Sequence, residues 1–289
     1  MAHAQVTTFL SSGGRQVTIG GGGPTVIIGE RINPTGRRAL ARAIQSGNLE
    51  PVLAEARLQA ESGAAVLDVN VGVPGLDQIE WMPRVVAAIQ DTVDIPLCLD
   101  SPDPGALAAA LRVYRGRALL NSTTAEPAML DRLIPLAREH RAALVCLLTD
   151  EAGIPATAAG RMALAERIIR RAEREGLTVS DLVLDPVVLA VSADAGAAAV
   201  TLDTIAALVE TYGVNTTAGA SNVSFGLPNR VDLTAAFLVL AIREGLSCPI
   251  ADPTHAAVRR AVLAADLLRG RDGYAMRWIR DHRRHPNAR

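Results

Sequence analysis

Eight short apolar runs, each followed by a longer segment of helical period, recur along this chain, and few folds accept such an alternation. The runs are residues 25–29, 66–69, 95–99, 118–120, 143–148, 182–184, 216–220 and 249–251. Each is apolar on both faces and bounded by turn residues, as parallel strands covered on both sides must be. Helical period occupies residues 50–61, 84–91, 105–114, 127–140, 161–175, 197–212, 232–244 and 255–268. Gly63, Gly176, Gly213 and Gly245 follow helices where a left-handed cap costs least. Asp103, Asp232 and Thr254 stand at expected N-caps. The pattern predicts an α/β fold, a single (β/α)8 TIM barrel. A doubly wound open sheet is the alternative, but Gly20–Gly23 precedes the first strand and is no dinucleotide fingerprint. The expected organisation is an N-terminal extension over 1–24, a barrel over 25–268, and a C-terminal helix and basic tail over 269–289.

Composition removes several chemistries. All 29 basic residues are arginine. Without lysine there is no Schiff-base aldolase, pyridoxal-phosphate enzyme or lysine-bearing phosphate loop. A net charge of -1 argues against bare nucleic acid as partner. Cys98, Cys146 and Cys248 lie far apart in apolar runs and form no CxxC pair, so inert core thiols are expected. The five histidines include no HExxH or HxH pair. There is no run of 18 apolar residues and no signal-peptide pattern, which predicts a cytoplasmic protein with no membrane partner.

Barrel chemistry sits at the C-terminal ends of the strands, and here every end carries a carboxylate or carboxamide. In order they are Glu30 with Arg31 and Asn33, Asp68 with Asn70, Asp100 with Ser101 and Asp103, and Asn121. Asp150, Asp185, Asn222 with Ser221 and Ser224, and Asp252 complete the ring. Acceptors and amides dominate, with Arg31 almost the only cation, which suits a phosphorylated substrate poorly. A hard-ion site from Asp68, Asp100, Asp185 and Asp252 stays open, though no bound metal is expected. A heterocycle with several N–H donors fits better, because a carboxylate accepts two hydrogen bonds from an amino-pyrimidinone edge.

The motifs GERINPTG from Gly29, LDVNVG from Leu67, LCLDS from Leu97, RALLNST from Arg117, LDP from Leu184 and SNVSFGLPNR from Ser221 resemble the methyltetrahydrofolate:corrinoid methyltransferases. These are pterin-binding barrels related to dihydropteroate synthase and to the folate module of cobalamin-dependent methionine synthase. The resemblance runs from about Val26 to about Asp281. It implies methyl transfer from methyltetrahydrofolate to the cobalt of a corrinoid (cobalamin) on a separate protein. It implies pterin-binding roles for Asp68, Asn70 and Asp185, with Asp185 on the pyrimidinone amino edge. Asp100, Ser101 and Asn121 would complete the pocket floor, with Ser224 beside them. Asn222 would lie near the methyl-bearing nitrogen, and Asp68 joins it as a catalytic candidate. Relatives with an iron–sulfur corrinoid partner read Asp-Ser-Thr-Asn where this chain reads Asp100-Ser101-Pro102-Asp103. Asp103 therefore either contacts the pterin or caps the next helix.

The departing nitrogen must gain a proton or a strong hydrogen bond. With neither lysine nor histidine suited to the task, the amide of Asn222 can donate as charge develops. No DxHxxG run marks a corrinoid module on this chain, and no cysteine cluster marks a thiol-activating zinc. A dihydropteroate-synthase-like enzyme is the runner-up, disfavoured by the missing lysine. A non-catalytic folate-binding subunit is a further alternative. Relatives are commonly dimeric, which implies a homodimer, with the apolar helix 197–212 as a candidate face that equally serves as plain core. The segment 269–289 carries Trp278 and seven arginines. It reads as a solvated helix and tail or as a contact for an acidic corrinoid protein.

Overall fold

The structure is a computed structural model describing residues 5–285; His3 and the last four residues of the basic tail lie outside the described residues. The chain opens with a hairpin, β1 (Thr7–Ser12) and β2 (Arg15–Gly20), which the periodicity reading passed over. In β1 the inward positions are Thr8, Leu10 and Ser12, so polar residues disguise the period of two. They are inward because they bond: Thr8 donates to the Ser180 carbonyl at 2.7 Å and Ser12 accepts from Gln90 at 2.9 Å.

The barrel wall follows. It comprises β3 (Ile28–Ile32), β4 (Val66–Asn70), β5 (Leu97–Asp100), β7 (Leu119–Thr123), β8 (Ala143–Leu147), β9 (Leu182–Asp185), β10 (Asn215–Thr216) and β11 (Ile250–Ala251). The two-residue β6 (Gly116–Arg117) pairs instead with β1. The eight wall strands are parallel neighbours in the order β10-β9-β8-β7-β5-β4-β3-β11. The ring closes where Ile250 N–H donates to Ala218 at 2.9 Å and Gly219 bridges Ile250. Closure excludes the open-sheet alternative.

The helices are α1 (Arg38–Gln45), α2 (Glu50–Glu61), α3 (Gln78–Gln90), α4 (Pro104–Val113), α5 (Pro127–Glu139), α6 (Ala158–Arg174), α7 (Ala197–Tyr212), α8 (Arg230–Glu244), α9 (Ala256–Leu268) and α10 (Met276–Arg284). Several expectations need correction. The first wall strand lies three residues beyond 25–29, which places Glu30 and Arg31 inside it. The strand expected over 216–220 stops at Thr216, because Ala220–Ser224 turns into a 3-10 helix. The helix expected over 84–91 begins earlier, at Gln78 under an Asp77 cap, and takes in Pro83. Asp232 is in the first turn of α8, with Asn229 ahead of it in left-handed conformation (φ 50°). Thr254 gives its hydroxyl to Asp252 at 2.6 Å, and His255 holds the N-cap position.

Inside the ring, Ile28, Val66, Cys98, Leu119, Val145, Val183 and Cys248 pack on Leu10 and Ile19 of the hairpin. Leu10 and Ile19 are fully buried, each worth about 2 kcal/mol of apolar burial. The hairpin thus plugs the end where the strands begin. At the same end α10 is tied down: Arg259 bonds Asp281 at 2.6 Å, and Arg277 bonds the fully buried Asp266, which also accepts from Thr25. Among the described residues no helix is long and apolar enough to cross a membrane.

Candidate active site

At the C-terminal end of the strands opens a cavity of about 470 Å³, within the usual range for small-molecule sites. Glu30, Asp68, Asp100, Asn121, Asn222 and Asp252 line it, with Arg31, Arg37 and Ser221 at its side. Parallel register explains the gathering. Asn70 lies opposite Asp100, and Asp100 opposite Asn121, so successive strands deliver their last polar residues to one level. The same ladders bury Leu67, Val69, Leu99 and Leu120 between wall and helices.

The floor is a hydrogen-bonded set. Asn121 donates its side-chain amide to Asp68 Oδ1 at 3.2 Å, and Asn70 donates to Asp100 Oδ2 at 2.9 Å. Asn70 Oδ1 accepts from Gly72 N–H at 2.7 Å, which fixes the amide's orientation. Burial, and then the neighbouring Asp100, push the Asp68 carboxyl well above the usual carboxylate range. Burial raises Asp100 as well, although bonds from Asn70 and Asp68 oppose it. Two adjoining carboxyls in so dry a place hold their protons more tightly than either would in water.

The wall from β3 behaves differently. Arg31 bonds Glu55 at 2.6 Å and Asp252 at 2.8 Å, and Arg37 also bonds Glu55. Burial alone would raise Glu55 and Asp252, but these arginines, with the Thr254 hydroxyl on Asp252, hold both below their ordinary values. Glu30 has no such partner among the described residues. Burial lifts its carboxyl to about 7, with Asp252 assisting and a bond from Ser221 opposing.

Of the residues expected at the site, Asp68, Asp100, Asn121 and Asn222 line the cavity, and Asn70 adjoins it through Asp100. Asn222 is exposed on the 3-10 turn after β10. A Cβ at Gly219 would approach its side-chain nitrogen to 3.0 Å, so glycine leaves this amide its room. The other four residues are outside the cavity lining. Ser101 is buried and donates to Gln78 at 2.9 Å. Asp103 caps α4 by accepting from Gly105 N–H at 2.8 Å. Ser224 is buried behind the turn against Thr234 and the Ser221 carbonyl. Asp185 ends β9, accepts from Val187 N–H at 2.7 Å, and is raised by burial to about 7 against the pull of Arg161.

The site reading left out Glu30, Arg37, Gly219 and Asp252 as ligand-facing residues, and it missed Arg161 altogether. Glu30 and Asp252 did carry a signal, as acids at strand ends. Arg161 carried none: it sits in an amphipathic helix like any solvated arginine, yet is 1% exposed. Chemically, the cavity offers carboxyl acceptors in two protonation states, carboxamides that donate or accept, and paired arginines at the rim. A flat, N–H-rich heterocycle matches that set.

Comparison with known proteins agrees. A family described as pterin binding enzyme matches residues 29–252. The chain is 32% identical over 253 residues to a methylcorrinoid:tetrahydrofolate methyltransferase of Eubacterium limosum, covering 86% of this chain and 92% of that protein. It is 29% identical to the methionine synthase of Mycobacterium tuberculosis over 78% of this chain, a match spanning only 20% of that longer protein. Among solved structures, dihydropteroate synthase of Yersinia pestis superposes with a TM-score of 0.67 at 16% identity, covering 91% of this chain and 100% of that one. The Thermus thermophilus enzyme gives 0.65 at 21% identity over 90% of this chain and 99% of that one; these likenesses speak to the fold. By motif order, cavity and family match alike, the chain belongs to the pterin-binding enzymes.

Proposed function

We propose that the chain moves a methyl group between methyltetrahydrofolate and the cobalt of a corrinoid carried by a separate protein. The observation that carries this reading is the meeting of Asp68, Asp100, Asn121 and Asn222 around one cavity, in a chain similar along most of its length to a methylcorrinoid:tetrahydrofolate methyltransferase. The floor acids and amides suit the pyrimidinone edge of a pterin, whose N–H groups need acceptors. Asp185 at the end of β9 is the further candidate for that edge. The exposed Asn222 suits the opposite side of the ring, where the methyl-bearing nitrogen must meet the incoming acceptor. When the C–N bond breaks, its electron pair stays on nitrogen, and an amide N–H aimed there binds the transition state better than the ground state. The corrinoid supplies the cobalt(I) nucleophile, a substrate here, and this chain's residues bind, orient and stabilise.

Anaerobic mixing of the protein with methyltetrahydrofolate and reduced cobalamin, followed by cobalt(I) absorbance, tests the reading. Transfer is expected, and Asn222→Ala is expected to slow it by about 10²–10³ with the melting temperature unchanged. Tetrahydrofolate binding without transfer, to free or protein-bound corrinoid, would mean a binding subunit. No folate binding would end the proposal.

A further inference from the structure

Glu30 is a cavity residue that the methyl-transfer reading leaves without a task. It lines both the main cavity and an adjoining pocket of about 350 Å³ beside α8, joined through Ser221 and Asp252. Ser221, next to Asn222, donates to Glu30 Oε2 at 3.1 Å. Charged groups face Glu30 from every side: Arg31 on its own strand, Asp68 on β4 with Asp100 behind it, Arg230 at the start of α8, and Asp252 and His255 after β11. Arg37 closes the cavity rim. The arginines are engaged elsewhere. Arg31 and Arg37 serve Glu55 and Asp252, while Arg230 donates to the Ser221 carbonyl at 2.9 Å and lies over the Phe225 ring. A carboxyl kept from water, beside other acids and without a paired cation, holds its proton. Unlike the Asp68–Asp100 pair, Glu30 has no side-chain amide bonded to it among the described residues, and its partner there is the Ser221 hydroxyl.

We infer that Glu30 supplies the proton taken up by the ring nitrogen as the methyl group leaves, an inference that rests on the methyl-transfer reading above. The balance is complete. The methyl–nitrogen bond breaks with its pair kept by nitrogen, and two electrons from the cobalt(I) substrate form the new bond to carbon. The Glu30 O–H breaks, its proton bonds the nitrogen, and the resulting carboxylate is held by the Ser221 hydroxyl. A solvent proton restores Glu30. In the reverse direction the carboxylate takes the proton back. Asn222 holds the nitrogen in line, and Glu30 changes its charge.

The test is the pH dependence of single-turnover transfer from methyltetrahydrofolate to reduced cobalamin, between about pH 5 and pH 9. It compares wild type, Glu30→Gln and Ser221→Ala, with methyltetrahydrofolate affinity and a melting curve for each. Wild type is expected to lose rate as pH rises through about 7, where Glu30 ionises. Glu30→Gln is expected to bind methyltetrahydrofolate within about threefold of wild type, to be slower by about 10² at acid pH, and to lose that limb. Ser221→Ala removes a bond that favours the carboxylate, so its limb moves to higher pH. A limb that survives in Glu30→Gln belongs to another acid, Asp185 first, and overturns the proposal while methyl transfer stands. An unmoved limb in Ser221→Ala overturns it as well, and serves if Glu30→Gln melts early. Wild type inert at every pH toward free and protein-bound corrinoid alike overturns both readings.

Discussion

Asp185, proposed above for the pterin edge, shows what a buried acid at a strand end costs the fold. It is 7% exposed, and among the described residues the Val187 N–H and the more distant Arg161 favour its charged form. Its carboxyl is neutral in the folded protein up to about pH 7, whereas in the unfolded chain it ionises near 4. Between those values the folded state binds more protons, so stability falls as pH rises and levels off once both states are ionised. Asp185→Asn keeps an acceptor for Val187 and never ionises. It is expected to be more stable than wild type at pH 8 by on the order of 4 kcal/mol, with the gap closing in acid, while losing tetrahydrofolate affinity. Melting curves at the two pH values decide this; a gap independent of pH would contradict it. Asp185 was legible in the sequence as a polar strand end, because an acid closing an apolar run stands out, although the cavity lining leaves it out. The distinction between it and Asp103 was not, since both are acids after a strand, and only the backbone direction buries one and sets the other on a helix N-terminus.

At the scale of elements, the turn after β9 is held from outside by a helix. Arg161 of α6 donates to the carbonyls of Pro155 at 3.0 Å, Pro186 at 2.7 Å and Val187 at 3.0 Å. Val187 has φ 65°, a left-handed conformation that a β-branched residue adopts only when its surroundings insist. Arg161→Ala leaves those carbonyls unpaired and is expected to cost about 3 kcal/mol or more, together with tetrahydrofolate affinity. Arg161→Lys is expected to recover little, because one ammonium group does not reproduce a planar fork. Urea melts and folate titrations of the two variants measure this; full recovery by lysine would show that charge, not geometry, holds the turn. Helix 50–61 and helix 197–212 were read to the residue, because clear stops bound them, Pro51 and Gly63 around the first and Gly213 after the second. Helix α1 was missed, for its eight residues bury only Leu40 and Ile44, too short a stripe to register a period. The hairpin escaped for the related reason that Thr8 and Ser12 face inward.

The whole molecule is a ring with unequal poles. One pole carries the open cavity and its acids; the other is plugged by the hairpin, while α10 is tied to α9 through Asp281 with Arg259 and Arg277 with Asp266. The arginines of α10 therefore belong to the far pole, where Arg277, Arg280 and Arg284 line a separate cavity of about 300 Å³ against Val26, Ile27 and Ala65. The barrel class followed from alternation alone, since eight buried parallel strands close most economically on themselves. Which pole the two flanking segments would cover is a matter of long-range bonds such as Thr25 to Asp266, which no local pattern encodes.

That asymmetry has a practical side. Cys98, Cys146 and Cys248 are all fully buried, and burial pushes their thiols up, so none offers a reactive thiolate to solvent. Gly14, exposed in the hairpin turn with open space where a side chain would begin, is the natural place for a single engineered handle. Gly14→Cys is expected to take up one equivalent of maleimide where the parent takes none, as intact-mass measurement would show. Protein anchored there would stand on a sensor surface with the acid-lined cavity of the opposite pole facing the flow, every molecule in one orientation.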